Sequence, residues 1–143
     1  MNLERAIEIA VEAHKGQVDK GGNPYILHPL RVMMSLDTRE EKIVGILHDV
    51  VEDSEWTFDD LAKEGFSDEV IEAVRSVTKT ESEHGTDEGY LRFVERAKQN
   101  PIGAKVKIAD LKDNLDVSRI SKLDKDALKR INKYKNSLEM FDN

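Results

Sequence analysis

Residues 38–53 read TREEKIVGILHDVVED, and this segment decides the fold because it joins a helix start to an apolar helical stripe. Asp37 or Thr38 can cap the helix, since both side chains accept hydrogen bonds from the free backbone amides of a first turn. From Val44 to Val51 the apolar residues recur every three or four positions, which is the spacing of one helical face. The segment therefore predicts an amphipathic helix.

The same apolar spacing continues through almost the whole chain, and no alternating run is long enough to predict a β-sheet. Polar segments such as Lys79–Asp87 are expected to be loops. The sequence therefore predicts an all-α protein, a compact orthogonal helical bundle. In chain order, the predicted helices are one along Leu3–His14, one opened by Pro29 and running through Leu36, the central one through Val51, a short one capped by Thr57 with Asp60, one capped by Ser67 and running through Thr78, one over Tyr90–Gln99, one opened by Pro101 that carries Asp110, and a last one over Asp124–Phe141.

The composition narrows the class of protein. The chain has 143 residues and no cysteine, so we expect one domain over residues 1–143 without disulfides, thiol nucleophiles or cysteine zinc sites. No stretch approaches the roughly 20 apolar residues of a membrane span, and no signal-like leader is visible, so the expected location is the cytoplasm. The formal charge of −7 argues against duplex binding but not against a small anionic substrate.

The central segment carries four side chains with metal-site chemistry: His48, Asp49, Glu52 and Asp53. On a continuous helix, Glu52 and Asp53 lie one turn beyond His48 and Asp49, so the four side chains share one wall. The apolar residues between them predict that this wall is half-buried, and an unpaired buried carboxylate is costly. A bound cation would remove this cost. A solvated acidic face is the alternative, and the pattern alone leaves both interpretations open.

Two other segments place a metal-binding side chain in an apolar context. His28 lies at a predicted helix start, where a structural histidine is the alternative. Asp110 lies in the run KVKIADLKDNL, where a salt bridge to Lys107 is the alternative. With His48 and Asp49 they would form a set of two imidazoles and two carboxylates. This mixture suits manganese, iron or zinc better than calcium.

Four runs carry a resemblance to a known family: AHKGQVDKGGNPYILHP (13–29), ILHDVVEDSEWTFDDL (46–61), SVTKT (76–80) and KIADLKDNL (107–115). In this order they resemble the HD superfamily of metal-dependent phosphohydrolases. The resemblance is closest to the hydrolase domain of RelA/SpoT proteins, which act in the stringent response, and to the stand-alone small alarmone hydrolases. It covers nearly the whole chain, and since no synthetase domain follows, we expect a single HD-type domain of the stand-alone form.

The resemblance implies an activity and a role for particular residues. The activity is hydrolysis of guanosine 3′,5′-bis(diphosphate) at its 3′-pyrophosphate, which yields GDP or GTP and pyrophosphate, and the usual ion is manganese. The metal ligands fall on His28, His48, Asp49 and Asp110, the catalytic acidic pair on Glu52 and Asp53, and the nucleotide contacts on Lys20, Asn114 and, by spacing alone, Tyr134.

The chain departs from the family pattern at positions on the substrate side. Asp19 stands where the alarmone hydrolases commonly have an arginine beside the guanine, and an acidic residue cannot stack on a base as a planar cation does. Asp116 and Val117 replace an arginine and a small polar residue after Asn114. These departures motivate one alternative, an HD phosphohydrolase of another nucleotide ester, such as a nucleoside monophosphate or NADPH. A non-catalytic nucleotide-binding protein is a second alternative, of a different class.

Overall fold

The structure is a computed structural model that describes residues 2–120 and 122–142. Within these ranges the chain is helical, and its only β-type pairing is an isolated bridge between Val18 and Pro24. The all-α prediction is therefore confirmed. The helices are α1 (Leu3–His14), α2 (Leu27–Met34), α3 (Arg39–Leu47), α4 (Val50–Asp53), α5 (Phe58–Lys63), α6 (Asp68–Ser76), α7 (Asp87–Lys98), α8 (Pro101–Asn114) and α9 (Lys125–Glu139), with short 3₁₀ turns at Glu81–Glu83 and Val117–Arg119.

Side-chain caps start several of these helices where the sequence predicts them. Thr38 accepts a hydrogen bond from the amide of Glu41, whose carboxylate accepts the amide of Thr38 in return. Thr57 and Asp60 make the same reciprocal pair at the start of α5. Each pair satisfies two amides that a first helical turn leaves free. Of the two caps expected for the central helix, the structure therefore uses Thr38 and not Asp37.

Some predicted helix ends were wrong. Helix α2 begins at Leu27, so Pro29 is its third residue and not its first. Proline is tolerated there because the amides of the first turn have no partner within the helix. Helix α7 begins at Asp87, inside the predicted loop, because the Thr86 hydroxyl caps it by accepting the amide of Gly89. Helix α6 ends at Ser76, two residues before Thr78.

The central helix is also shorter than predicted, since α3 ends at Leu47 and α4 begins at Val50. In a continuous helix the Gly45 carbonyl would accept the amide of Asp49. Here Nδ1 of His48 donates to that carbonyl over 2.6 Å, and Asp49 has φ −107° and ψ 0°, between the helical and extended regions. The chain therefore turns at His48 and Asp49, which directs both side chains out of the helix pattern.

Helix α3 forms the centre of the bundle and packs against α1, α2, α6 and α8. Its residues Val44, Ile46 and Leu47 have no exposed surface. Gly45 permits the close approach of α2, since a β-carbon there would lie 3.4 Å from Cα of Met33 and 2.6 Å from Cδ1 of Leu36, just after this helix. In the described part of the chain, none of the helices has the length and apolar character needed to cross a bilayer.

Candidate active site

The four predicted ligands lie close together where three parts of the fold meet. His28 comes from α2, His48 and Asp49 from the α3–α4 turn, and Asp110 from α8. Nε2 of His28 lies 2.9 Å from Oδ1 of Asp110 and 3.8 Å from Oδ2 of Asp49. Nε2 of His48 lies 3.1 Å from Oδ2 of Asp49 and 3.5 Å from Oδ1 of Asp110. The fold therefore brings together side chains that are far apart in the sequence.

These distances match the spacing of ligands around one divalent ion. With metal–ligand bonds of about 2.1 Å, two ligands at a right angle lie about 3.0 Å apart and two tetrahedral ligands about 3.4 Å apart. The four measured separations run from 2.9 to 3.8 Å. Donor atoms of His28, His48 and Asp110 all lie within 4.8 Å of one another. Oδ2 of Asp49 lies next to this group, 3.1 Å from Nε2 of His48 and 3.8 Å from Nε2 of His28.

Hydrogen bonds on the far side of each imidazole fix which nitrogen can bind an ion. Nδ1 of His48 donates to the Gly45 carbonyl, so in the neutral imidazole the lone pair is on Nε2. That Nε2 is buried and has no hydrogen-bond partner among the described residues. Nδ1 of His28 donates to Oδ2 of Asp113 over 2.7 Å, which likewise leaves Nε2 directed at the cluster. Both histidines thus present the nitrogen that a metal requires, and the donor set fits a divalent transition metal.

Without an ion, protons compensate the carboxylates. Burial alone would lower the pKa of His28, but hydrogen bonds to Asp110 and Asp113 outweigh it and raise this pKa to about 9. Burial also opposes the charge on His48, yet the neighbouring Asp49 and Asp110 raise its pKa well above the usual range. Burial opposes the charge on both carboxylates, but His48 lowers the pKa of Asp49, and the Lys107 ammonium lowers that of Asp110 together with hydrogen bonds to the two histidines. A metal ion that binds here would release protons.

Behind His28 lies a charged network that the sequence analysis missed. Asp113 accepts two hydrogen bonds from the Arg31 guanidinium, at 2.8 and 3.1 Å, besides the one from His28. A nitrogen of Arg119 lies 3.3 Å from the same carboxylate. Burial opposes the charge on Asp113, but the hydrogen bonds and charges of His28 and Arg31 lower its pKa to about 2. Arg31 follows His28 by three residues and Asp113 follows Asp110 by three, so helical spacing could have revealed the pair.

Asp110 is held by two partners besides the histidines. The buried Lys107 ammonium donates to Oδ2 over 3.0 Å, and the Asn114 amide donates to Oδ1 over 3.1 Å. The salt bridge that was the alternative explanation for Asp110 is therefore present, and it coexists with the cluster. It leaves Oδ1 facing His28 and His48 while Lys107 neutralises the other oxygen.

Asp49 is oriented by Tyr25, which the sequence analysis did not single out. The Tyr25 hydroxyl donates to Oδ2 of Asp49. Burial and the nearby carboxylate both raise the pKa of Tyr25, so the hydroxyl keeps its proton. The Tyr25 ring also lies beside the His14 ring, at 5.0 Å between centroids. His14 is buried and its Nδ1 lies 2.9 Å from Oε1 of Gln17.

The predicted acidic pair lies at the exposed edge of the cluster. Oε1 of Glu52 accepts the backbone amide of Lys79 over 2.9 Å, so α4 is tied to the segment after α6. Partial burial and the like charges of Asp49 and Glu52 raise the pKa of Asp53 to about 7. Asp53 can therefore exchange a proton near neutral pH. The structure thus places the two carboxylates differently, with Glu52 bonded to the backbone and Asp53 in the field of the cluster.

A cleft of about 460 Å³ opens beside His28, and the three predicted nucleotide contacts, Lys20, Asn114 and Tyr134, all line it. Burial and the nearby Asp110 carboxylate raise the pKa of Tyr134. Asp19 also lines the cleft, but its Oδ1 accepts the amides of Gly21 and Asn23, each over 2.9 Å. Asp19 is thus a turn residue.

Three arginines line the cleft: Arg31, Arg119 and Arg130. Arg31 is bonded to Asp113. The Arg119 guanidinium is fixed by Asp116 over 2.7 Å and by the backbone carbonyl of Asp113 over 2.7 Å. Asp116 is therefore neutralised by Arg119, and it is not a free carboxylate facing the substrate.

Comparison with known proteins agrees with this geometry. A family model described as HD domain matches residues 6–110, which include all four residues of the cluster. A solved structure described as "A metazoan ortholog of SpoT hydrolyzes ppGpp and plays a role in starvation responses" superposes with a TM-score of 0.79 at 22% identity. The match covers 95% of this chain and 82% of that one, which supports the fold.

Curated relatives are similar over most of this chain. The guanosine-3′,5′-bis(diphosphate) 3′-pyrophosphohydrolase of Aquifex aeolicus is 34% identical over 122 residues, or 79% of this chain. The GTP pyrophosphokinase of Streptomyces coelicolor is 34% identical over 132 residues, or 86%. The matched regions are only 17% and 15% of those two proteins, so this chain corresponds to a small part of each.

Proposed function

Since the chain belongs to the HD domain family, we propose that residues 1–143 form one metal-dependent phosphohydrolase domain that hydrolyses guanosine 3′,5′-bis(diphosphate). The products are GDP, or GTP from the pentaphosphate, and pyrophosphate. The observation that carries the proposal is that the imidazole nitrogens of His28 and His48 both lie 2.9 to 3.8 Å from carboxylate oxygens of Asp49 and Asp110. The relatives that match the chain include a protein named for this activity.

The proposed ligands are His28, His48, Asp49 and Asp110, and the proposed ion is Mn²⁺. Two nitrogens and two carboxylate oxygens suit manganese, and such a set leaves positions for substrate. When bound, the ion would activate water and neutralise charge on the attacked phosphoryl group. The protein's part is to hold the donors: the Gly45 carbonyl and Asp113 orient the two imidazoles, and Tyr25 orients Asp49.

The proposed catalytic residues are Glu52 and Asp53. Glu52 would orient or deprotonate the attacking water from its position above the Lys79 amide. Asp53 lies beside Asp49 and would donate a proton to the ribose oxygen as the bond to the pyrophosphate breaks. One water is consumed, and its hydroxyl stays on the departing pyrophosphate. Each carboxylate thus has a separate role, as their different surroundings suggest.

The proposed nucleotide site is the cleft beside His28. Lys20 would pair with a phosphate, Asn114 would contact the ribose, and Tyr134 would pack against the nucleotide. The Asn114 amide nitrogen already donates to Asp110, so its free carbonyl oxygen is the group that would accept a ribose hydroxyl. Arg130 also lines the cleft and would supply the cation that Asp19 lacks.

The test is hydrolysis of guanosine tetraphosphate by the purified protein with added Mn²⁺, followed by separate measurement of pyrophosphate and orthophosphate. We expect pyrophosphate and GDP in equal amounts. Asp49→Asn should abolish both metal binding and turnover, whereas Asp59→Asn, on the exposed start of α5, should behave as the parent. An inactive parent, or equal activity in both variants, would contradict the proposal.

A second candidate is hydrolysis of another nucleotide phosphate ester by the same metal site. The observation that favours it is that Asp19 lines the cleft as a turn residue, bonded to the amides of Gly21 and Asn23, so no guanine-stacking arginine stands at this position. A substrate panel of nucleoside monophosphates and NADPH distinguishes the two. Release of orthophosphate from one of these, with no pyrophosphate from guanosine tetraphosphate, would select the second candidate.

A further inference from the structure

A second cleft lies between the start of α7 and helix α9, with a volume of about 670 Å³. We call it the lysine cleft and define it by Lys79, Lys129, Arg130, Lys133 and Tyr90, all of which line it. It contains none of the proposed metal ligands and none of the three predicted nucleotide contacts. Its chemistry therefore needs an explanation of its own.

Ammonium groups gather around one aromatic ring in this cleft. Nζ of Lys133 lies 4.0 Å from the centre of the Tyr90 ring, and Nζ of Lys79 lies 5.3 Å from the same centre. Nζ of the buried Lys107 is 5.8 Å from it. Across residues 2–120 and 122–142, no carboxylate lies within 4 Å of the ammonium of Lys79 or Lys133. Two cations are thus held close together without an anionic partner.

The electrostatics of these groups are unfavourable as they stand. Partial burial of Lys133 and repulsion from Lys79 and Lys107 lower its pKa, with only Asp87 acting in the opposite direction. A cation–π contact contributes about 0.5 to 2 kcal/mol, but one ring face cannot neutralise several ammonium groups. An anion between Lys79 and Lys133 would remove the repulsion.

Tyr90 supplies a separate indication of a missing partner. It lines the cleft, is 7% exposed, and its hydroxyl has no hydrogen-bond partner in the described residues. A buried hydroxyl without a partner costs about 1 to 3 kcal/mol. The hydroxyl oxygen has less than 1 Å² of accessible surface, so a phosphoryl oxygen that pairs with the lysines would accept this hydrogen bond once the lining shifts to admit it. The unpaired donor and the unpaired cations therefore point to the same class of ligand.

The acidic residues of the lining do not cancel this field. The Glu83 carboxylate accepts hydrogen bonds from Arg96, at 2.8 and 3.1 Å, and from the amide of Thr80. Asp87 and Asp126 also line the cleft and lie in the first turns of α7 and α9. These two carboxylates do not balance the four cationic side chains of the lining, which are Lys79, Lys129, Arg130 and Lys133.

The lysine cleft adjoins the proposed active site at two points. Lys107 donates to Asp110, a proposed ligand, over 3.0 Å, and its ammonium lies 4.6 Å from the centre of the Phe93 ring, beside Tyr90. Arg130 lines both the lysine cleft and the nucleotide cleft. The two clefts therefore meet at Arg130.

We propose that the lysine cleft is a phosphoryl-binding site in which Lys79, Lys133 and the Tyr90 hydroxyl hold a phosphate or diphosphate group. The group is either the second phosphorylated arm of a nucleotide or a free inorganic anion. The first assignment rests on the proposed function, since it requires a nucleotide in the neighbouring cleft. The second does not depend on it.

The experiment is calorimetric titration of the whole protein in the presence of a chelator, so that neither hydrolysis nor the metal contributes. The probes are inorganic pyrophosphate, adenosine 3′,5′-bisphosphate and adenosine 3′-monophosphate. Lys133→Met is compared with Lys135→Met, a matched variant because Lys135 is an exposed lysine on the same helix outside the cleft. Tyr90→Phe and Lys79→Met test the other two groups.

We expect Lys133→Met and Lys79→Met each to weaken binding of at least one doubly charged probe about tenfold, and Tyr90→Phe about threefold. Lys135→Met should stay within about twofold of the parent, as expected for an exposed charge. A loss confined to the bisphosphate identifies a nucleotide arm, and a loss for pyrophosphate identifies a free anion. Equal affinities for Lys133→Met and Lys135→Met, or no binding of any probe by the parent, would overturn the proposal.

This binding result is separable from the proposed hydrolysis. If the lysine cleft binds pyrophosphate but the protein with Mn²⁺ releases no product from any substrate, the proposed function fails while the cleft stands. If hydrolysis is observed and Lys133→Met does not alter the affinity for any probe, phosphoryl binding in the lysine cleft is refuted while the proposed hydrolysis is supported.

Discussion

Replacing Asp113 by asparagine should weaken metal binding although Asp113 is not itself a proposed ligand. Its carboxylate accepts the Nδ1 proton of His28 over 2.7 Å and is held by Arg31 at 2.8 and 3.1 Å. Asparagine keeps the shape but loses the charge, and its amide can turn an N–H toward Nδ1. The imidazole would then lose its fixed tautomer and part of its basicity.

The size of the effect follows from the bond that is lost. Loss of such a supporting partner typically costs tenfold to hundredfold in metal affinity, or about 1.4 to 2.7 kcal/mol. One hydrogen bond to a charged group is worth about 1.5 to 3 kcal/mol, which is the same range. Since Arg31 and Arg119 would still bond to the asparagine oxygen, we expect a loss of metal affinity in the lower half of this range, about tenfold to thirtyfold.

The assay is competition for Mn²⁺ against a fluorescent chelator, with the parent and Asp113→Asn measured at several pH values. Asp116→Asn is the matched control, since Asp116 also bonds to Arg119 but not to His28. The control should bind Mn²⁺ within about twofold of the parent, as expected for an exposed ion pair. Equal affinities for the Asp113 and Asp116 variants would refute the role of Asp113 in holding His28.

Three further predictions concern stability, each measured by urea unfolding. Gly103→Ala should destabilise the protein by about 1 to 3 kcal/mol, because the new β-carbon would lie 2.0 Å from the Ser76 hydroxyl oxygen and 3.2 Å from the Ser76 β-carbon. Adding Ser76→Ala to this variant should recover most of the lost stability, and no recovery would contradict the clash. Hydrogen bonds from Arg96 are the chief cause that lowers the pKa of Glu83 to about 2. The contribution of Glu83 to the free energy of unfolding is therefore complete above its usual pKa of about 4.5 and declines as the pH falls toward 2. Glu83→Gln should make the free energy of unfolding less dependent on pH in this range, and an unchanged dependence would count against the prediction. Added Mn²⁺ at about 100 times its dissociation constant should stabilise the parent by about 2.7 kcal/mol, and a chelator should reverse the gain; an unfolding curve insensitive to both would argue against a metal held only by the folded state.

The sequence was sufficient for features that depend on local chemistry. The apolar spacing predicted the helices, and the Thr38 and Thr57 caps lie at the expected positions. The association of His28 with His48 was a hypothesis from side-chain chemistry that the family resemblance supported, because the residues are on different helices and no local pattern joins them. The structure brings their Nε2 atoms toward the same Asp110 oxygen.

Other features depend on side chains that compete with the backbone or meet across the fold. Periodicity predicted a continuous helix through residue 51, but the His48 imidazole takes the Gly45 carbonyl and the helix breaks at the proposed ligands. Asp19 suggested a lost substrate contact, whereas its carboxylate closes a turn. Lys79 and Lys133 lie far apart in the sequence, so only the packing of α7 against the last helix reveals their cleft.

The four-donor cluster also has a mechanical consequence for a chain that contains no cysteine. Its members come from α2, the α3–α4 turn and α8, so an ion bound there would close one loop of about 20 residues and another of about 60. Such closures restrict the unfolded chain as disulfide cross-links do, by about 3 to 4.5 kcal/mol for loops of these lengths. Unlike a disulfide, this cross-link would open when the imidazoles take up protons, so the protection factors for amide exchange in α2 and α8, which remove the pH dependence of the intrinsic rate, should fall together as the pH falls.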